Sequence, residues 1–399
     1  MATKRGTWDY REQFGEEFGR TYFRRFDPGV TSSIGIGTYL GAPTDNADEQ
    51  YYRALVDAIE SGVNHLDTAI NYRCQRSERI VGDAIADAAI DRDAIVLATK
   101  GGFIPFDEEK PADPGGYISE EFIQNGAVDA AALARGCHAL TPAFIDSMLD
   151  QSQTNLAVDY IDCYYIHNPE TQLTVRSRTA VYDQLTAAFE QLERRRVAGD
   201  IGGYGVASWN AFRVPPSHDS YLSLPRVIAC AETAADTVGV DDCGFMAVQL
   251  PFNIQMADAF TTTAHPDPER VDDATMQKDT IGVNQSQNQN QSISDTKVNT
   301  DNTTTQVSAL RYAQERGINI IASATLAQGE LTSEDAIPPA VDSKLSGETP
   351  AQRAINFTRS APGVTTALVG TGSPEHVSEN VTAGTFDPLG AQVFDAVFE

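Results

Sequence analysis

The chain has 399 residues, 41% of them hydrophobic, enough for one barrel-sized domain or two ordinary ones. Acidic residues outnumber basic ones 56 to 29, and the net charge of −27 repels nucleic acid and anionic membrane surfaces, excluding both as partners. No run of about 18 apolar residues occurs, and five cysteines without a CxxC pair fit neither a disulfide framework nor a zinc knuckle.

The opening stretch MATKRGTWDYREQF lacks the apolar region of a secretory leader, so the expected location is the reducing cytoplasm. Six of the 29 basic residues are lysine, which leaves 23 arginines. Such an acidic, lysine-poor balance resembles cytosolic proteins of salt-loving microbes, where salt screens self-repulsion. An acidic enzyme of ordinary habitat is the alternative.

In chain order, residues 1–29 form an aromatic and charged extension, and residues 30–399 are expected to form one domain. SIGIGTYLG (33–41) reads as a first strand running into a glycine turn, 48–61 as a helix, and Asn64–Asp67 as a second strand. Ile80, Val81, Ala84, Ile85 and Ala88 recur at helical spacing. AIVLATK (94–100) is a third strand, 143–156 a helix, and YIDCYYIH (160–167) a fourth strand. Val181, Leu185, Ala188, Phe189 and Leu192 mark one face of a long helix. Strands five to eight are IGGYGVAS (201–208), FMAVQLP (245–251), INIIASA (318–324) and TTALVGT (365–371), with helices near 305–316 and 350–360.

Strand-then-helix units repeated eight times predict a parallel (β/α)8 TIM barrel with its site at the carboxyl ends of the strands. A doubly wound open sheet would want a Gly-rich phosphate turn after its first strand, and no GxGxxG precedes a helix. Two inserts break the repeat. Residues 101–140, with Pro105, Pro111 and Pro114, form an irregular stretch, and 257–305, with its run GVNQSQNQNQSIS, has a composition expected of a mobile loop.

Asp67 ends the second strand, Tyr72 follows in the adjoining loop, Lys100 ends the third strand and His167 the fourth. Each residue type alone is commonplace; four titratable groups from three successive strand ends would meet at one rim. In their sequence contexts they resemble the aldo-keto reductase superfamily. Gly62, Asp67, Thr68, Ala69, Tyr72, Gly82, Ala84 and Ile85 match its signature GxxxxDTAxxYxxExxxGxAI, with Gln75 at the glutamate position and Glu78 three residues on. ATKGG (98–102) and DYIDCYYIHNP (159–169) resemble its third- and fourth-strand motifs.

The resemblance implies a nicotinamide cofactor, NADP(H) favoured and NAD(H) possible, and a small-molecule carbonyl or alcohol substrate. Tyr72 would be the proton donor, Lys100 would lower its pKa, Asp67 would hold the lysine, and His167 would orient the carbonyl. Gln249 and Ser208 would hold the nicotinamide amide. Ser323 stands where many members carry a stacking tyrosine. At the adenosine end, Thr371, Ser373, Glu379 and Asn380 would supply hydrogen bonds from a helix start suited to phosphate. Gly370 and His376 occupy positions where many members carry cations for the 2′-phosphate. Trp209 and Asn210 are candidates for the mouth. A non-catalytic nucleotide-binding, redox-responsive regulatory or partner-binding subunit is the rival reading. A metal-dependent hydrolase is disfavoured, because the six histidines show no HxH or HExxH spacing.

Overall fold

Strands buried on both faces read as unbroken apolar runs, and two segments show this most clearly. Every residue of VLATKG and of IDCYYIH is buried. In the computed structural model, which describes residues 1–267 and 305–398, these are the third and fourth staves of a closed parallel barrel. The staves are β1 (Ile34–Gly37), β2 (His65–Asp67), β3 (Val96–Gly101), β4 (Ile161–His167), β5 (Ile201–Ala207), β6 (Phe245–Pro251), β7 (Asn319–Ser323) and β8 (Val364–Gly370), with β8 pairing back to β1. The expected (β/α)8 barrel is the fold found.

The helices between staves are α1 (Asp45–Glu60), α2 (Arg76–Asp87), α3 (Pro142–Leu156), α4 (Arg178–Ala198), α5 (Leu224–Val238), α6 (Ala309–Glu315) and α7 (Pro350–Ser360). A last helix, α8 (Pro374–Thr382), follows β8. The sequence sets their ends. Thr44 caps α1, Ser177 caps α4, and Thr349 with Gln352 forms a capping box on α7. Helix α5 carries Pro225 in its first turn and ends at left-handed Gly239.

Alternation along the staves sends Val96, Ala98, Cys163, Tyr165, Ala247, Ile321 and Leu368 into one buried cluster, distinct from the layer under the helices. Tyr165 fills much of that interior because its neighbour across the ladder is Gly205. A Cβ there would run into the Ala247 carbonyl and press on the tyrosine ring.

The N-terminal extension, given no elements above, is a helix (Lys4–Gln13) followed by a hairpin of Phe23–Phe26 with Gly29–Ser32. Phe26 and Ala2 join the interior cluster, and Asp162, the second residue of β4, accepts the Ala2 amide at 2.6 Å and the Leu97 amide at 3.0 Å. The extension therefore closes the end of the barrel away from the strand carboxyl termini. Phe18 packs against Gly62, whose φ of 101° suits glycine.

The first insert is tied at its base by a bridge between Phe103 and His138 and holds a short helix, Pro114–Ile118. The second begins and ends in a two-residue ladder, His265–Pro266 with Gln306–Val307; its Gln/Asn-rich run lies outside the described residues. No helix among the described residues is long and apolar enough to cross a membrane.

Candidate active site

Strand ends supply rigid positions, and the register of this barrel brings four of them together. Asp67 pairs with Gly37 on one side and Ala98 on the other, Lys100 with Tyr165, and His167 with Ala207. Lys100 Nζ donates to Asp67 Oδ1 at 2.5 Å and to the Thr68 carbonyl at 2.8 Å, and it lies 5.0 Å from the centre of the Tyr72 ring. The Tyr72 and His167 rings are 5.8 Å apart, edge to face. Gln249, on β6, donates from Nε2 to Asp67 Oδ2 at 2.7 Å. Asp67 thus ties β2, β3 and β6 together at one point.

The electrostatics follow from burial. Lys100 is fully buried, which works against its charge, yet Asp67 and Tyr72 pull harder and raise its pKa above the ordinary lysine value. Burial likewise raises Asp67, against the pull of Lys100. For Tyr72 the expectation of a net lowering is corrected: burial pushes the phenol up and Lys100 only partly offsets it. In the free protein the phenol is therefore a protonated acid beside a fixed cation.

His167 is driven well below the ordinary histidine range, first by burial and then by Lys100 and His138, so it is a neutral imidazole. Its carbonyl takes His138 Nε2 at 2.8 Å, and Gln172 Nε2 reaches His138 Nδ1 at 3.0 Å. His167 Nδ1 is buried without a partner. A bare acceptor is the less costly atom to strand there, which leaves the proton on Nε2.

A cavity of about 730 Å³ opens over these groups. Asp67, Tyr72 and His167 line one end with Tyr39, Phe103 and Trp209. Gly370, His376, Glu379 and Asn380 line it too, with Ser208, Gln249 and Ser323 among the other lining residues. Lys100 sits beneath, fully covered. Thr371 and Ser373 are not among the lining residues. Thr371 is buried and accepts from Asn380 Nδ2 at 2.9 Å, and Ser373 precedes α8 without capping it through its side chain. Asn210 also stays off the wall, its backbone N–H donating to Glu170 and its side-chain oxygen accepting from Arg213. Among the described residues no three His, Cys, Asp or Glu side chains are grouped to hold a metal ion.

Glu170 is a residue that sequence reasoning passed over. It stands directly after the fourth-strand motif, buried, and its Oε1 accepts from the Ser208 hydroxyl (3.1 Å) and from the amides of Trp209 (2.9 Å) and Asn210 (2.9 Å). Ser208 Oγ also accepts from the Ala211 amide at 2.8 Å. The hydroxyl's only proton is thus spent inside the protein, and a ligand meets it as an acceptor. The missed signal was a carboxylate three residues past a strand-end histidine. Tyr39 and Phe103 were missed because a glycine turn and a Pro-rich insert carry no aromatic pattern. Glu78, displaced from its signature place, is buried on α2 and accepts from Thr99 (2.6 Å) and Asn155 (2.8 Å).

Comparison with known proteins places these observations. The model of the Aldo/keto reductase family matches residues 33–215. An uncharacterized oxidoreductase, YqkF, of Bacillus subtilis (strain 168) is 31% identical over 178 residues, 44% of this chain and 45% of that protein. The matched segment spans about half the length of the curated relatives. Among solved structures, an aldo-keto reductase from Klebsiella pneumoniae in complex with NADPH aligns with a TM-score of 0.56 at 17% identity, over 93% of this chain and 92% of its own. A glycerol dehydrogenase from Gluconobacter oxydans gives 0.57 at 18% identity over 95% of both. These two likenesses concern the fold. The segment 33–215, which contains Asp67, Tyr72, Lys100 and His167, is the part of this chain that matches the aldo/keto reductase family model.

Proposed function

We propose that this protein is an NAD(P)H-dependent oxidoreductase that reduces an aldehyde or ketone to an alcohol and runs the reverse oxidation, with Tyr72 as the acid. The observation that carries the reading is the continuity of one cavity from Tyr72 and His167 to Glu379 and Asn380. A pocket for a small carbonyl compound alone would not need the far half. NADP(H) is favoured, supported by the NADPH bound in the Klebsiella pneumoniae structure, and NAD(H) is the alternative.

The residues present fit a dinucleotide. Gln249 spends its Nε2 on Asp67, which turns its carbonyl oxygen to the role of acceptor for a carboxamide. Asn380 spends its Nδ2 on Thr371, which leaves its Oδ1 for an adenine amino group. The cofactor, when bound, supplies hydride to the carbonyl carbon. The protein does the rest. His167 Nε2–H orients the carbonyl oxygen, and Tyr72 delivers its proton to that oxygen. Lys100 stabilises the phenolate left behind, and Asp67 keeps the lysine charged and aimed. A phenol held protonated suits the reductive direction. The acidic composition supports a cytoplasmic protein of a high-salt interior.

The test is Tyr72→Phe, which keeps the ring and removes the proton. Turnover of an aldehyde panel is expected to fall by about 10²–10⁴-fold, with nucleotide affinity unchanged by fluorescence titration. Equal turnover in the variant overturns the acid role. Binding without turnover in the native chain favours a nucleotide-binding subunit instead.

A further inference from the structure

The residues that follow Tyr72 have an unusual backbone. Arg73, Cys74 and Gln75 all have positive φ, at 47°, 57° and 69°. Left-handed backbone is costly for any residue with a Cβ, and three such residues in succession persist only where their surroundings force them. None is Gly, Asn or Asp, so the turn is not favoured by its own residue types.

The surroundings supply the force. The Arg73 side chain is 1% exposed and pairs with Asp48, whose side chain is 14% exposed. The Arg73 guanidinium also donates twice to the Ala42 carbonyl, at 3.1 and 3.0 Å, and lies 5.0 Å above the Tyr51 ring. Tyr51 is itself fixed, its hydroxyl donating to the Leu40 carbonyl at 2.9 Å. The turn is held on its other side too. Glu108 donates its amide to the Cys74 carbonyl at 3.1 Å, and Gln75 Nε2 donates to the Phe106 carbonyl at 3.1 Å. Arg76, 15% exposed, shares the Asp48 carboxylate with Arg73 at 2.6 Å, and an outer layer of more exposed pairs joins Arg76 to Glu108 (2.6 Å) and Arg79 to Asp107 (2.6 Å). Salt screens that outer layer, whereas the two arginines on the covered Asp48 carboxylate are sheltered.

We propose that the Arg73–Asp48 ion pair positions Tyr72 for proton transfer by holding the strained left-handed turn that follows it. Asp48 lies in the first turn of α1, so the pair fastens the phenol's loop to the β1–α1 connection across the cavity rim. Released, the turn relaxes toward right-handed or extended backbone and carries the phenol away from Lys100 and His167. Arg73 touches no reacting atom, so it and Asp48 are positioning residues. Its Nη1 is buried without a partner, so removing the Asp48 charge would leave an uncompensated buried cation. The inference rests on the reductase reading and deepens it.

The experiment uses the full chain with Asp48→Asn and Asp48→Glu. Three quantities are followed: kcat for carbonyl reduction, the Kd for NADPH, and the alkylation rate of Cys74 resolved by peptide mass spectrometry. Cys74 lies within the turn and is 9% exposed, so its reactivity reports turn release without reference to turnover. Asp48→Asn is expected to lower kcat by about 10²-fold, the scale of an ångström-sized misplacement, to leave the NADPH Kd unchanged, and to speed Cys74 alkylation. Asp48→Glu is expected to restore most of both. Unchanged kcat, unchanged Cys74 alkylation, or a Kd that rises in step with the loss each overturns the proposal. Should Asp48→Asn not fold, Cys74→Gly in that background gives the reading, because glycine adopts the left-handed turn unaided. Recovered folding and turnover support the clamp, and their absence overturns it. A native chain that reduces no carbonyl while Cys74 still responds to Asp48→Asn refutes the reductase reading and leaves the clamp standing.

Discussion

The two ends of the cavity are built on different principles. At the phenol end, the polar groups around Tyr72 are committed: Lys100 to Asp67 and Thr68, Gln249 to Asp67, Ser208 to Glu170. These groups are buried and sit on or directly beside strand ends. At the far end, His376 is exposed and Glu379 half-buried, both on the first turns of α8, and Asn380–Thr371 is the local bond. The difference teaches where precision is required. On the proposed reading, proton transfer at the phenol end fails with an ångström of misplacement, so its groups are locked. The far end, proposed to hold an adenosine, tolerates slack, because many weak contacts would share the work.

The comparison breaks most sharply at Lys100. Lys100→Met removes the cation and leaves Asp67 buried with only Gln249, where burial favours the protonated acid. Turnover is expected to fall by at least about 10²-fold, the scale of losing one oriented charge stabiliser in a dry site. The pH profile carries the sharper reading. Lys100 lowers the Tyr72 phenol against burial, so removing it moves the phenol higher. In the alcohol-oxidising direction, which needs phenolate, the rising limb of kcat is expected at higher pH than in the native protein. A limb that stays in place refutes the coupling.

A second test concerns stability. His65, His138 and His265 are held neutral by burial at about 3, 4 and 4, with Lys100 adding to the effect on His65 and backbone bonds partly opposing it at the other two. The ordinary histidine value lies near 6.5. As pH falls through it the unfolded chain takes up protons that the folded chain refuses, and stability falls until the folded values are reached. Each group contributes about 1.4 kcal/mol per pH unit in that window. Asp67, Glu78 and Glu170, raised by burial, act with opposite sign nearer the carboxylate range. Urea midpoints are therefore expected to drop between pH 7 and 5.5, and less so in His138→Gln. Equal slopes in the two proteins would remove His138 from the account. Because His138 bonds the His167 carbonyl, the same variant reports how far the reactive end depends on its support.

The same contrast explains what the sequence makes legible. Asp67, Lys100 and His167 follow short apolar runs, and a strand's end is visible where such a run stops. Their convergence follows once the barrel is recognised, since eight repeats leave one rim for all strand ends. Glu170 and the Arg73–Asp48 pair were not legible. Their partners are 38 to 40 and 25 residues away, and no periodicity links a turn to a helix start. The sign of the Tyr72 shift was misjudged for a related reason. Sequence shows that a cation is near, but the weight of desolvation depends on how deep the phenol sits. The extension at residues 1–29 has too little repeat to reveal that it closes the barrel floor.

The smallest expected effect lies at the loose end. The resemblance puts His376 where a cation would meet the 2′-phosphate of NADP(H), and the residue is exposed. His376→Arg offers a charge-assisted contact to that phosphate alone. An exposed pair is worth about 0.2–1 kcal/mol, so a few-fold gain in NADP(H) affinity is expected at low salt. The gain should shrink in molar salt as screening tightens. Fluorescence titration with both dinucleotides reads the outcome, since NAD(H) lacks the phosphate and should bind as before. An equal gain for both would mean that the new arginine meets the pyrophosphate, and the adenosine would then lie deeper along α8 than the resemblance puts it. A gain that survives molar salt would mean a buried contact, and the far end would be built like the near one.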